Sequence, residues 1–339
     1  LFEGDDHASH AARATYGMRE RLKTVGQIGK GKGKVVLRMS VGIHSGTFHF
    51  FLVGDPEIHR ELLISGPAAS RCAEMEALAS ADEIGLTAAT AALIDPIHLG
   101  EPLGDGRLLA TAPKFESDVV IARPSFSGLD LAGLLPTNIR THLIERQGEA
   151  EHRKIGVAFI QFSGTDELLS REGPDALAGA LDECIRTVQQ ATARYGVTFF
   201  ETDINRDGGK IMLTAGAPAS GDHNDERILR ATTEIAVRIG RLPVRIGVNR
   251  GDVFSGDFGP SFRRTYSVKG DAINLAARLL GKAEHGQVVA TMNVIDKSGI
   301  EFEIEPLAPF TVKGKVEPIH AARVGRPLDA VREAIGKST

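Results

Sequence analysis

The chain matches itself at long range, and that duplication constrains its fold more than any single motif. Ser40-Val41-Gly42-Ile43-His44-Ser45-Gly46 parallels Arg245-Ile246-Gly247-Val248-Asn249-Arg250-Gly251, 205 positions further on. Leu63–Ser70 parallels Ser267–Asn274, and Ala81–Ile84 parallels His285–Val288, now 204 positions on. Three blocks in preserved order at a near-constant offset point to two copies of one domain. In both copies the first block is a β-branched run bounded by Gly, which fits a strand turning sharply into a second strand.

The second copy reads as complete. Ile155–Phe162 is an apolar strand candidate, followed by a helix over Pro174–Tyr195 with Leu177, Leu181, Ile185 and Val188 at three- and four-residue spacing. Val197–Phe200 and Lys210–Thr214 read as strands joined by a polar turn, and a second helix covers roughly Asp225–Ile239. Leu242–Val248 and Asp252–Ser255 form the Gly-linked strand pair, and short strands close the copy near Gln287–Val289, Phe302–Ile304 and Ile319–Val324. Strand, helix, two strands, helix, strand predicts an α+β sheet with helices packed on one face. The first copy starts only at its equivalent of the second helix, near Ala8–Val25, so the sequence reads as an N-terminally truncated chain. The expected organisation is a partial first domain over 1–122, an irregular linker over 123–153, a second domain over 154–326 and a C-terminal extension over 327–339. Pro124, Gly128 and Leu134-Leu135-Pro136 mark the linker.

Composition narrows the setting. The 339 residues carry 40 Lys+Arg against 44 Asp+Glu, a formal net charge of -4 that argues against bulk nucleic-acid binding. Cys72 and Cys184 form no CxxC and no cysteine-based zinc spacing, which fits a reducing compartment. No apolar run approaches about 18 residues and no signal segment is visible, so a cytoplasmic protein without membrane contact is expected.

Chemistry concentrates in Tyr266–Leu280. Gly270-Asp271 opens a helix on which Asn274 and Arg278, four residues apart, share one face while Ile273, Ala277 and Leu280 hold another. An amide and a guanidinium offer planar donors suited to a phosphate-bearing ligand. The spacing alone also suits an ordinary surface helix with two solvated polar groups. With its flanks, however, the chain resembles the class III nucleotidyl cyclases. The resemblance is carried by Tyr266–Leu280, Gly247–Gly251, Val157–Gly164 and Thr311-Val312-Lys313-Gly314-Lys315-Val316-Glu317-Pro318. It spans 154–324 and, more weakly, 1–120, in a tandem arrangement similar to bacterial and soluble adenylyl cyclases.

That resemblance implies two cyclase-homology, ferredoxin-like domains in a pseudo-twofold head-to-tail pair, the first incomplete. It implies an adenylyl cyclase converting ATP to cyclic AMP and pyrophosphate, the alternative being a catalytically inactive regulatory or nucleotide-sensing module. Asn274 would orient the ribose and Arg278 would neutralise the phosphates as pyrophosphate leaves. Lys313 would reach the terminal phosphates, and an exposed turn lysine is the competing reading. Ser267 falls at the base-reading position, where a hydroxyl that donates or accepts leaves the purine open. The resemblance also implies two Mg2+ or Mn2+ ions, but Gln161 stands where the first metal aspartate belongs. The second position falls on Gly208 or Gly209, with Asp207 one residue off, and no lysine matches the base-reading lysine within Thr202 to Asn205. In the first copy Ser70 and Glu74 replace Asn274 and Arg278. The second copy therefore supplies the Asn/Arg half of a composite site and no metal ligand, so these residues alone should be inactive. Proteins of this kind often continue into an ATPase or regulatory module.

Other signals are weaker. Asp203-Ile204-Asn205-Arg206-Asp207-Gly208 opens like a calcium loop but has Thr214 in place of the closing Glu, so a polar hairpin turn is expected. Gly336-Lys337-Ser338-Thr339 lacks the Gly spacing of a phosphate loop. His44, His59 and His98 have no metal-ligand company and read as solvated or loop histidines.

Overall fold

A computed structural model of the chain describes residues 1–28, 35–114, 128, 131–145, 150–238, 240–259, 265–312 and 317–328. Two compact units emerge, one of Leu1–His49, Ile64–Leu129 and Ile204–Asp207, the other of Phe50–Leu63, Asp130–Asp203 and Gly208–Thr339. Among the described residues no helix is long and apolar enough to cross a membrane.

The first copy contributes α1 (His7–Val25), β1 (Val41–Ile43), β2 (His49–Val53), β3 (Glu61–Ser65), α2 (Pro67–Leu78), β4 (Ile84–Leu86), β5 (Leu99–Leu103) and β6 (Gly106–Leu109). In the first unit β1, β4, β6 and β5 lie side by side in that order. Ala8 and Ala12 of α1 pack on the sheet face carrying Ile43, Ile84 and Leu86. The other face carries α2, close enough that a side chain on Gly42 would meet the backbone of Cys72 and Glu76.

The second copy contributes α3 (Thr137–Glu145), β7 (Glu151–Ser163), α4 (Thr165–Glu172), α5 (Pro174–Tyr195), β8 (Thr198–Asn205), β9 (Gly208–Ala215), α6 (Asn224–Arg238), β10 (Val244–Phe258), β11 (Thr265–Lys269), α7 (Asp271–Leu279), β12 (Val288–Thr291), β13 (Phe302–Pro306) and β14 (Ala321–Pro327). Its sheet runs β8-β9-β7-β10-β12-β14-β13, with β11 paired to β10. Numbering only β7, β8, β9 and β10, the order is 2-3-1-4, the ferredoxin-like arrangement that the resemblance implies. Leu177, Leu181, Ile185 and Val188 of α5 are fully buried, as their spacing requires, against Ile160, Ile211, Ile246 and Val248. The opposite face takes α7, so the helices are not confined to the one face expected.

Strand register recurs between the two regions. Val41 pairs with Ile84 and Ile43 with Leu86 in parallel, as Ile246 pairs with Val288 and Val248 with Ala290. The order β1-β4-β6-β5 is the order β10-β12-β14-β13.

Three further features differ from the reading of the sequence. First, β10 does not turn at Gly251; it stays paired with β7 from Val244 to Ser255. Gly251 instead lets the first turn of α7 approach, since an added Cβ would stand 2.7 Å from that of Ala272. Second, Pro136 starts a helix: the amide of Arg140 bonds its carbonyl at 2.9 Å, and Ile139 is buried beside Tyr266 and Val253. Third, the β2–β3 hairpin belongs to the second unit from Phe50 to Leu63. Phe51, Val53 and Leu63 join the core of α5, while the Gly54 and Asp55 amides donate to Asp182 Oδ1 and Gln189 Oε1, each at 2.8 Å.

Candidate functional site

α7 is held against β10 at three alternate residues of one strand face. Gly247 admits the backbone of Ala276 and Leu280, and an added Cβ would lie 3.0 Å from Leu280 N. Gly251 admits Ala272. Between them, buried Asn249 donates from Nδ2 to the Ala272 carbonyl at 2.9 Å and accepts at Oδ1 from the Thr291 hydroxyl at 2.9 Å. Ala272, Leu275, Ala276 and Leu279 are buried, which sets the roll of the helix. Asn274 and Arg278 are consequently exposed, one turn apart on the outer face. Asp271 in the first turn complements the helix dipole. A cavity of about 540 Å³ at the start of α7 is lined by Asn249, Asp252, Asp271, Leu275 and His320 among others, and not by Asn274 or Arg278.

Ser267 lies half-buried on β11, opposite Gly256, on the strand that leads into α7. Lys313 and Gly336–Thr339 lie outside the described residues.

The counterpart positions in the first copy engage protein groups. Ser70 Oγ, on a buried residue, accepts from the Asp207 amide at 2.7 Å. Glu74 pairs with Arg71 at 2.9 Å and with Arg206 at 2.8 Å. Both Asp207 and Arg206 sit in the β8–β9 turn, where Asp207 takes a left-handed φ of 52°. The flanking strands make that stretch the polar hairpin turn expected, and not a calcium loop.

The metal position does not fit a divalent cation. Gln161, on the face opposite Ile160 and Phe162, accepts at Oε1 from Nε and Nη2 of Arg245, at 3.1 and 2.9 Å. Lys210 stands opposite Gln161 on the other neighbouring strand. An amide flanked by two cations offers no anionic ligand, and among the described residues no group of three or more His, Cys, Asp or Glu is gathered as a metal site needs. Arg245 occupies the place of Ser40 in the first copy, and nothing in its neighbours along the chain announces the contact. It arises from cross-strand register.

One histidine corrects the expectation. His59 is 1% exposed, with Nε2 3.1 Å from Glu61 Oε1 and its ring edge-on to Phe199 at 4.8 Å. Gln189 Nε2 donates to its carbonyl at 2.8 Å. It is a packing residue of the hairpin, not a solvated one.

The family model described as "Adenylate and Guanylate cyclase catalytic domain" matches residues 148–322. The chain is 25% identical over 196 residues to an adenylate cyclase of Mycobacterium tuberculosis, covering 55% of this chain and 43% of that protein. It is 23% identical over 164 residues to a membrane guanylyl cyclase of Dictyostelium discoideum, covering 48% of this chain and 11% of that one. The chain thus spans less than half the length of these curated relatives. Among solved structures, that of the adenylyl cyclase CyaB from P. aeruginosa superposes with a TM-score of 0.45 at 22% identity, over 52% of this chain and 96% of that one.

Proposed function

Because the chain belongs to the adenylate and guanylate cyclase catalytic-domain family, the class III nucleotidyl cyclases, we propose that it supplies the Asn/Arg half of a composite cyclase site with ATP as substrate. One observation carries this reading: α7 is anchored through Gly247, Asn249 and Gly251 so that Asn274 and Arg278 face outward together. In the reaction the ribose 3′-oxygen attacks the α-phosphorus, a new phosphodiester bond forms, and the bond to the leaving pyrophosphate breaks. The Asn274 amide positions the ribose, and Arg278 offsets the charge that grows on the leaving oxygens. Both act from a helix fixed before substrate arrives, so little reorganisation is spent at the transition state. Ser267 reads the base and Lys313 approaches the terminal phosphates in the same proposal.

The two divalent ions implied by the family are assigned to carboxylates of another cyclase-homology element, paired head to tail with this one. A second reading, a catalytically silent regulatory module, draws support from Gln161–Arg245 in one copy and Ser70 and Glu74 in the other.

The deciding experiment measures cyclic nucleotide formation by the protein as encoded, with manganese and ATP or GTP. Asn274→Ala and Arg278→Ala should each lower product formation by about 10²–10³-fold. Unchanged rates in both variants would show that α7 is not part of the site.

A further inference from the structure

The position that fails as a metal site has the composition of an anion site. Lys210 on β9 and Arg245 on β10 each stand directly opposite Gln161 on β7. Directly opposed residues on paired strands project to the same face with Cβ atoms about 5 Å apart. All three side chains are half-buried. Among the described residues, neither Lys210 nor Arg245 lies within 4.0 Å of a carboxylate. Elsewhere in the same sheet two arginines are neutralised: Arg250 Nε lies 2.9 Å from Asp225, and Arg323 pairs with Glu305. Gln161 satisfies only one edge of the Arg245 guanidinium, through a single neutral oxygen.

We propose that Lys210, Gln161 and Arg245 form a site for a phosphate-class oxyanion that is taken without a divalent cation. Two partly desolvated cations flanking one neutral amide repel each other, and an anion bridging them over that amide converts the repulsion into two charge-assisted contacts. A magnesium ion at the same place would add positive charge to positive charge. The guanidinium keeps its Nη1 donors for a second, planar contact, and the ammonium provides a movable point charge. Gln161 can offer its Nε2 donors while its Oε1 remains on Arg245. The site lies on residues the cyclase reading assigns no role, so it stands or falls separately from that reading.

Isothermal titration of the 339-residue chain with pyrophosphate, and separately with ATP, both in excess chelator, tests this. Saturable binding is expected, weakened at least about tenfold in Lys210→Gln and in Arg245→Gln, and retained in Lys210→Arg. Gln161→Asp should weaken it comparably, because the new carboxylate would neutralise both cations itself. Equal affinity for the two probes identifies a free phosphate group as the ligand, and tighter ATP binding identifies a nucleotide tail; both support the site. The proposal is overturned if no binding occurs at millimolar pyrophosphate, if binding requires magnesium, or if both cation variants bind as well as the parent. Loss of binding in Arg278→Ala alone would place the anion on α7 and overturn it as well.

Discussion

Single residues show how the two matching regions differ. His44 stands where the second copy has Asn249, and Thr87 where it has Thr291. Asn249 bridges helix and strand with a donor and an acceptor that never titrate. His44 keeps the threonine contact, with Nδ1 2.9 Å from Thr87 Oγ1, but it is ionisable. Burial, aided by the Arg71 charge and opposed by Asp105, holds its pKa below the ordinary 6.5. The folded state therefore prefers neutral His44. Its contribution is fully present above 6.5 and is lost as pH falls below that value toward the lower folded pKa, because the unfolded chain takes up the proton first. Urea midpoints followed by circular dichroism at about pH 7.5 and about pH 5.5 should drop less in His44→Asn than in the parent. An equal drop in both would assign the pH sensitivity to other groups.

At the scale of elements, the contact between α7 and β10 decides whether Asn274 and Arg278 are presented at all. The helix lies on the strand backbone to backbone, and glycine makes that approach possible. The same device recurs under α2, where Gly42 faces Cys72 and Glu76. Because the nearest obstructing atom at both sites is helix backbone, Gly42→Ala and Gly247→Ala should each cost about 1–3 kcal/mol, read from chemical denaturation. Gly247→Ala should also lower product formation, since the displaced helix carries both site residues. A Gly247→Ala protein as stable as the parent would contradict the close approach. Helix α5 was legible from spacing, occupying Pro174–Tyr195 with the predicted face buried, whereas α7 buries Ala272, Leu275, Ala276 and Leu279 and leaves the expected Ile273 and Ala277 half-buried. Gly251 was not legible, because a glycine that permits a turn and one that permits a neighbouring helix look alike in a sequence.

For the whole molecule, sequence order and structural unit part company at the β2–β3 hairpin. Its inward face fills the second unit's core, so Phe51→Ala should destabilise that unit by about 3–5 kcal/mol although it lies in the first copy. Hydrogen exchange of α5 amides is the readout, and unchanged protection there would exclude the packing described. The repeated strand blocks and the helix that carries Asn274 and Arg278 were readable from the residues alone, because each is a matter of local spacing or long-range identity, whereas the ferredoxin-like order followed from the resemblance. Tertiary structure alone decided that Arg245 bonds Gln161 with Lys210 on the other side, that His59 is buried, and that Glu74 is matched by Arg206. Strand register and packing bring together side chains separated by tens to more than a hundred positions, and no periodicity along one chain encodes which cation will stand beside which amide.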